Sequence, residues 1–258
     1  MDLPSKLKQY YRYRRNWKKV KTRRAKGGLF KNVSEQLNFY SQLIRNGDLV
    51  FDVGANVGEK TELFLQLGAK VVAVEPQESC WRVLKRRFKE KDVDVEACAI
   101  ADTKGERTLF IDRSPTLSSI SQAWIKDVKE SGRFSLRHKW FDKMSVPTTT
   151  LDALIEKYGK PVFCKIDVEG AELDVLKGLS EPVKTISFEF ISEQINVAIS
   201  CIDYLSTLGR ARFNYHFGEA VSFAAPNWFD SEQIKTTLKA MNSDIENFGD
   251  IYVRFQEK

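Results

Sequence analysis

The sequence has only four cysteines and two histidines among its 258 residues. Cys80, Cys98, Cys164 and Cys201 are spaced too widely for a zinc ribbon or a CxxC redox pair. Cys98 and Cys164 lie within apolar runs, where a free thiol usually packs as a small hydrophobic side chain. We therefore expect no disulfide framework, which is typical of a protein in a reducing compartment.

Long apolar runs are absent as well. No stretch approaches the roughly 18 apolar residues that a membrane-spanning helix needs, and residues 1–31 lack the apolar segment of a secretory signal. With 42% hydrophobic and 29% charged residues, the chain can bury a sizeable core. We expect a soluble, cytoplasmic protein, with a peripheral position at the inner membrane surface as the alternative.

Positive charge is concentrated at the N-terminus. Residues 1–31 carry twelve Lys or Arg and one acid, whereas the remaining 29 basic residues face 34 acids, a net charge of −5. We interpret residues 1–31 as a basic, aromatic-rich tail and residues 32–258 as a separate domain. Such a tail is typical of a segment that binds anionic lipid or nucleic-acid phosphates, or that packs on the domain as a solvated helix. Four aromatic side chains are interleaved with these cations: Tyr10, Tyr11, Tyr13 and Trp17.

Beyond residue 31, short apolar runs alternate with helical stretches, which indicates βαβ units and a parallel sheet. Residues 112–147 show no clear periodicity and are interpreted as a binding loop or lid. Seven strands are predicted, at residues 48–53, 70–74, 93–99, 162–166, 184–190, 210–217 and 250–255, with one further strand at 107–111. Six helices are predicted, at residues 59–67, 77–89, 151–158, 170–177, 195–208 and 231–241.

The most informative segment is the glycine turn that follows the first predicted strand. A strand that ends in glycines lets a ligand approach the backbone, with helix N–H groups pointing towards it. Glu75 follows the next strand, 21 residues after Gly54, where an acid can bind two ribose hydroxyls. Asn56 replaces the second glycine of a dinucleotide motif, and no GK[ST] follows for a P-loop. Asp52 before the turn favours a ligand with an ammonium group and no phosphate; a tight turn without a ligand is the alternative.

Four segments are informative together: FDVGANVG (51–58), VEP (74–76), TLD (150–152) and KIDVEGAE (165–172). They resemble the FkbM family of S-adenosylmethionine-dependent methyltransferases, and the resemblance runs from about residue 46 to the C-terminus. The resemblance implies the class I fold, a Rossmann-like α/β fold. Its seven-stranded, mostly parallel sheet has the order 3-2-1-4-5-7-6, an antiparallel last strand and helices on both faces.

S-adenosylmethionine is the cofactor that this resemblance implies. By position, the resemblance implies that Gly54 and Gly58 lie under the cofactor, with Asn56 in the same turn. It places Asp52 near the methionine end and Glu75 at the ribose hydroxyls. Ala99 and Ile100 would lie beside the adenine.

Asp167 and Glu169 are the predicted catalytic residues, at the end of the strand over residues 162–166. Methyl transfer to a hydroxyl is an in-line displacement, and the hydroxyl must lose its proton as the new bond forms. We expect Asp167 first, and Glu169 second, to accept that proton or orient the hydroxyl; the alternative is that Asp167 binds the cofactor's amino group. Glu189 completes a possible trio of ligands for a divalent ion, but no spacing demands a metal and none is predicted.

Further candidates lie in or near the predicted lid. His138 is an alternative base near neutral pH, whereas His216 is expected to be structural. Trp124 and Trp140 either stack on a sugar ring or attach the loop to the core.

The resemblance implies O-methylation of a sugar, glycolipid or polyketide-type acceptor. A lipid-linked saccharide would give the tail a function at an anionic membrane surface. One alternative is an RNA methyltransferase with the tail as a phosphate clamp, although no Asp/Asn-Pro-Pro-Tyr segment follows the fourth strand. Another is a cofactor-binding module without activity. No feature of the sequence indicates an oligomeric state.

Overall fold

The computed structural model describes residues 5–25, 32–134, 138–218, 220–241 and 247–256. Its strands are β1 (Leu49–Val53), β2 (Lys70–Val74), β3 (Val93–Glu96), β4 (Ala99–Ile100), β5 (Gly105–Ile111), β6 (Asp142–Thr149), β7 (Phe163–Ile166), β8 (Thr185–Ile191), β9 (Ala211–Phe217) and β10 (Phe248–Phe255). Its helices are α1 (Ser5–Ala25), α2 (Val33–Tyr40), α3 (Glu59–Gln66), α4 (Glu78–Arg87), α5 (Gln122–Glu130), α6 (Leu151–Tyr158), α7 (Glu172–Lys177), α8 (Ile195–Leu208) and α9 (Ser231–Ala240).

Seven strands form the main sheet, in the order β3-β2-β1-β7-β8-β10-β9. All neighbours are parallel except β10, which runs antiparallel to both β8 and β9. This arrangement confirms the class I methyltransferase fold implied by the resemblance. The chain order reverses between β1 and β7, and open α/β sheets bind ligands in the crevice at such a reversal.

The central strands are apolar because both faces of the sheet are covered by helices. On one face, Phe51 of β1 packs in a core cluster with residues of α6, α7, α8 and α9. On the other face, Val50 packs in a cluster with Phe39 of α2 and Phe64 of α3. Asp52 is therefore a buried carboxyl within an otherwise apolar strand.

A second, three-stranded sheet with the order β4-β6-β5 corrects two predictions. The strand predicted at 93–99 is wrong in its last part, because β3 ends at Glu96 and β4 pairs with β6 instead. Residues 112–147 are not one irregular loop, because they include α5 and most of β6. β6 pairs with β5 along its length and its burial alternates, but only Val146 and Thr148 are buried, so the period-2 pattern of its sequence contains few apolar residues.

Most other elements lie within two or three residues of their predicted positions. The helices at 151–158 and 195–208 have the predicted bounds. The last strand begins earlier than predicted, at Phe248 rather than residue 250. Cys98 and Cys164 are buried, as expected, and so are Cys80 and Cys201; all four thiols are free. Among the described helices, none combines the length and apolar character that crossing a bilayer requires.

Helix α1, within the predicted tail, packs on α4. Val20 is buried against Val83, with Trp17 and Tyr13 beside them. The ring of Trp17 lies 4.4 Å below the guanidinium of Arg86. The described part of the tail is therefore a helix that contacts the domain through its aromatic and apolar side chains.

Candidate active site at the carboxyl edge of the sheet

The turn after β1 requires glycine at its first position. Gly54 has φ +85°, and a Cβ there would lie 1.8 Å from the carbonyl oxygen of Asp167. The N–H groups of Gly54 and Ala55 both donate to the carbonyl of Val74 at 3.0 Å. These contacts hold the turn between β2 and β7 and leave one side of its backbone open to a cavity.

Glu75 follows β2 and has a fixed orientation. Its carboxylate accepts hydrogen bonds from the N–H of Asn56 at 2.9 Å and from the N–H of Gln77 at 2.7 Å. Burial raises the pKa of Glu75 to about 7, against the lowering effect of those two N–H groups, and Asp52 and Asp167 add to the increase. An acid held in this way presents free oxygen lone pairs to a ligand.

The first cavity, of about 130 Å³, brings together five of the seven predicted cofactor-binding residues. Those five are Gly54, Asn56, Glu75, Ala99 and Ile100. Asp52 lines a second cavity that adjoins the first, where Gly54, Asn56 and Asp167 border both. Gly58 borders neither in the described structure. It precedes α3, and a Cβ there would meet the side chains of Phe88 and Leu84.

Lys165, which is buried, and Asp167, which is partly exposed, form an ion pair at the end of β7. The Lys165 Nζ lies 2.7 Å from the Asp167 Oδ2. Burial disfavours the lysine's charge, but the nearby carboxylates of Asp167 and Asp250 outweigh burial, and the pKa of Lys165 is raised well above its usual value. The pair holds the Asp167 carboxylate at the junction of both cavities.

Three carboxyls converge beside this pair. Asp167, Glu169 and Glu189 each place an oxygen within 4.8 Å of the others. Burial, followed by the charge of Asp167, raises the pKa of Glu169 and of Glu189 well above the usual value. These shifts favour the protonated form of Glu169 and Glu189. An oxygen of whichever carboxyl is ionised suits a hydroxyl proton or a hard divalent cation.

The turn that presents Glu169 is supported from two sides. Glu169 has φ +56°, and its carbonyl accepts a hydrogen bond from the Ser119 hydroxyl at 2.6 Å. Gly170 packs against Trp124, since a Cβ there would lie 2.3 Å from the tryptophan side chain. The Glu172 carboxylate accepts from the N–H groups of Val168 and Gly170 at 3.2 Å.

Comparison with known sequences identifies the family. The sequence model of the methyltransferase FkbM domain matches residues 52–240. The chain belongs to the FkbM methyltransferase family. The match covers the glycine turn, the carboxyl cluster and all seven predicted cofactor-binding residues, and it begins after α1.

Two curated relatives are similar over part of their length. Methyltransferase sdnD of Sordaria araneosa is 28% identical over 157 residues, which is 51% of this chain and 60% of that protein. Hexuronic acid methyltransferase AglP of Haloferax volcanii is 26% identical over 169 residues, which is 65% of this chain and 64% of that protein. The chain thus spans less than two thirds of either relative.

Solved structures with similar architecture share little sequence identity with this chain. A TehB-like SAM-dependent methyltransferase from Corynebacterium glutamicum is 10% identical with a TM-score of 0.46, over 95% of this chain and 96% of that chain. Precorrin-6y C5,15-methyltransferase from Geobacter metallireducens is 9% identical with a TM-score of 0.45, over 88% and 90% of the two chains.

The remaining candidates have structural partners in this FkbM methyltransferase. His138 Nδ1 lies 2.9 Å from the Asp112 carboxylate, outside the cavities that Asp167 borders. Trp124 is buried and meets Trp140 edge-on, so both rings attach the 112–147 region to the core. His216 lies 3.2 Å from Asp250.

Several buried polar residues near the cluster had no predicted role. Lys165 was part of the quoted motif, and a lysine within a short apolar strand is itself a signal of a buried acid partner. Asp250 and Tyr40 lie far away in sequence, and no local pattern places them near Lys165. Lys60 borders the second cavity from the first turn of α3.

Proposed function

We propose that this protein transfers the methyl group of S-adenosylmethionine to a hydroxyl of a sugar, glycolipid or polyketide-type acceptor. Family membership supports the reaction class. The single observation that carries the proposal is that one cavity is lined by two groups of residues. Glu75 and Ile100 suit a nucleoside, and Asp167 and Glu169 suit an acceptor hydroxyl.

The cofactor would supply an electrophilic methyl carbon on a sulfonium. Glu75 would bind the ribose hydroxyls, because two backbone N–H groups already fix its carboxylate. Ala99 and Ile100 would flank the adenine with apolar surface. As the acceptor oxygen bonds to the methyl carbon and the carbon–sulfur bond breaks, the hydroxyl proton would pass to the carboxyl cluster, to Asp167 first or Glu169 second.

A polyhydroxylated acceptor is favoured by a polar cavity on the other side of the cluster. This cavity, of about 50 Å³, is bordered by Asp167, Glu189, Lys60 and His216. Its donors and acceptors suit sugar hydroxyls. The name of the relative AglP, a hexuronic acid methyltransferase, agrees with this acceptor class.

Calorimetry and an activity screen together test the proposal. We expect the protein to bind S-adenosylmethionine, and the Glu75→Ala variant to bind it at least tenfold more weakly, because a hydrogen bond to a charged group is lost. Methyl transfer to sugars and uronic acids should then be measured for the protein and for Asp167→Asn. Absence of cofactor binding by the unaltered protein would favour a module without activity, whereas transfer only to RNA would replace the acceptor class.

Metal dependence is a separate arm of the same screen. The trio Asp167, Glu169 and Glu189 has the ligand type and spacing for a divalent cation, but the proposed proton transfer needs none. We expect activity to survive EDTA. Loss of activity in EDTA and recovery with magnesium would assign the trio to a metal instead.

We further propose that the outer face of α1 contacts an anionic membrane surface. Tyr10 and Tyr11 are exposed there, and Lys18 and Lys21 border a surface groove with Trp17. Basic residues near an anionic bilayer contribute about 1 kcal/mol each. Sedimentation with vesicles of 30% phosphatidylserine at physiological salt tests this, and the protein should remain in solution with neutral vesicles.

A further inference from the structure

One face of α1 closes the second cavity, beside the candidate cofactor site. Asn16, Lys19, Val20 and Arg23 recur at helical spacing and border this space of about 360 Å³. Asp52 borders it from the side of the sheet. The helix in the predicted tail therefore contributes side chains to the same edge of the sheet as the glycine turn.

Packing fixes the position of this face. Val20 is 2% exposed and lies against Val83 of α4. The Asn16 amide is buried, and its Nδ2 lies 3.4 Å from both the carbonyl and the hydroxyl of Ser79. Because both residues lie next to Lys19 on the helix surface, they fix the backbone at Lys19 beside the cavity, which its exposed side chain borders.

The other cations that border the cavity have partners within the protein. Arg23 pairs with Glu59 at 2.5 Å, and Lys165 pairs with Asp167 at 2.7 Å. Lys60 donates to the Gln36 side chain at 3.0 Å. In the described part of the chain, no acid forms an ion pair with Lys19.

Lys19 also lies among like charges. Partial desolvation, followed by Arg15 and Arg23 one turn away on either side, lowers its pKa. A ligand anion above the cavity would offset that repulsion. The cavity shares Gly54 and Asp167 with the candidate nucleoside site, so the two cavities adjoin and one ligand could occupy both.

We propose that Lys19 binds the α-carboxylate of the methionine part of S-adenosylmethionine, across the cavity from Asp52. This inference rests on the proposed function, since it requires that cofactor. It makes α1 part of the cofactor site, although the family match begins only at residue 52. The amino group of the same methionine would lie towards the acids that border the cavity, Asp52 and Asp167.

Calorimetry with two ligands tests the assignment. S-adenosylmethionine carries the carboxylate, and decarboxylated S-adenosylmethionine keeps the sulfonium and ammonium but lacks it. For Lys19→Met we expect about tenfold weaker binding of S-adenosylmethionine and unchanged binding of the decarboxylated ligand. Lys18→Met is the matched control, because it removes the same charge from the next residue, which borders the outer groove instead.

Each result separates the inference from the function on which it rests. The role of Lys19 would be overturned if Lys19→Met weakened the binding of both ligands equally. It would also be overturned if Lys18→Met weakened the binding of S-adenosylmethionine as much as Lys19→Met does. Unchanged cofactor binding in Lys19→Met with a raised KM for an acidic acceptor would also overturn it. If the unaltered protein bound neither ligand, the proposed function itself would fail. Circular dichroism of each variant checks that it folds.

Discussion

Glu75 is a buried carboxyl whose pKa lies near neutral pH, and cofactor binding should therefore depend on pH. Its pKa is about 7 because of burial, and Asp52 and Asp167 are the charged groups that raise it further. If the ligand hydroxyls bind the ionised form, only about a tenth of the protein is competent at pH 6. We expect the Kd for S-adenosylmethionine to rise about tenfold between pH 8 and pH 6, measured by calorimetry.

Two variants identify the group responsible for this pH dependence. Glu75→Gln cannot ionise, so its weaker binding should no longer change between pH 6 and pH 8. Glu172 has a pKa of about 7 for a similar reason but does not border the first cavity. Glu172→Gln should keep the full pH dependence, and its loss in that variant would show that Glu75 is not the titrating group.

A comparison of Gly54 with Gly47 separates the effect of close contact with the Asp167 backbone from the effect of a positive φ angle. Their φ angles are +85° and +87°, but a Cβ on Gly47 would meet nothing within 4 Å. Gly47→Ala should cost about 1 kcal/mol of unfolding free energy, the strain of a left-handed residue. Gly54→Ala should cost several times more, because its Cβ would separate β1 from the Asp167 backbone. Similar urea midpoints for the two variants would contradict this.

At the scale of residues, the sequence predicts those functional residues whose separation along the chain determines that they lie close together in the fold. The distance between Gly54 and Glu75 is fixed by one helix and one strand, so it indicates that they share a cavity. The partnership of Lys165 with Asp250 depends on β10 returning to the sheet beside β8, which no local pattern encodes. Lys19 has the same limitation, because its helix lies outside the family match.

Among the elements, α5 is the clearest omission of the sequence interpretation, although its signal is present. Ser121 caps the helix by accepting from the Trp124 N–H at 3.2 Å. Trp124, Ile125 and Val128 are buried at helical spacing. β6 has a weaker signal, because only Val146 and Thr148 of its eight residues are buried and it contains Pro147.

Trp124 connects α5 to the turn that presents Glu169. We expect Trp124→Ala to lower the free energy of unfolding by about 3 to 5 kcal/mol, because the ring is buried between Gly170 and Trp140. Trp81→Ala should cost much less, because that ring is only half-buried. Urea denaturation compares them. A normal stability with a raised KM for sugar would instead support the alternative, that Trp124 stacks on the acceptor.

Across the whole molecule, acidic groups gather at the carboxyl edge of the sheet. Burial raises the pKa of each of these five carboxyls: Asp52, Glu75, Glu169, Glu172 and Glu189. Asp250 has the opposite shift, because Lys165 and His216 favour its charge despite its burial, and its pKa is lowered. At a pH between the ordinary and the raised pKa values, these five carboxyls are therefore protonated in the cofactor-free folded protein and ionised in the unfolded chain.

The sign of this effect makes the cofactor-free protein less stable as the pH rises. Above about pH 5 the unfolded chain has released protons from Glu75 and Glu172, while the folded form holds them up to about pH 7. Each of the two should lower the free energy of unfolding by about 1.4 kcal/mol between pH 6 and pH 8. Asp250 loses its stabilising effect only in strong acid, outside this window.

Urea denaturation of the cofactor-free protein at pH 6 and pH 8 measures this difference. The double variant Glu75→Gln with Glu172→Gln should reduce it, since neither side chain can then release a proton. Saturating S-adenosylmethionine should stabilise the protein more at pH 8 than at pH 6, because the ligand binds the ionised form of Glu75. A cofactor-free protein that becomes more stable from pH 6 to pH 8 would show that these carboxyls are already ionised in the folded state.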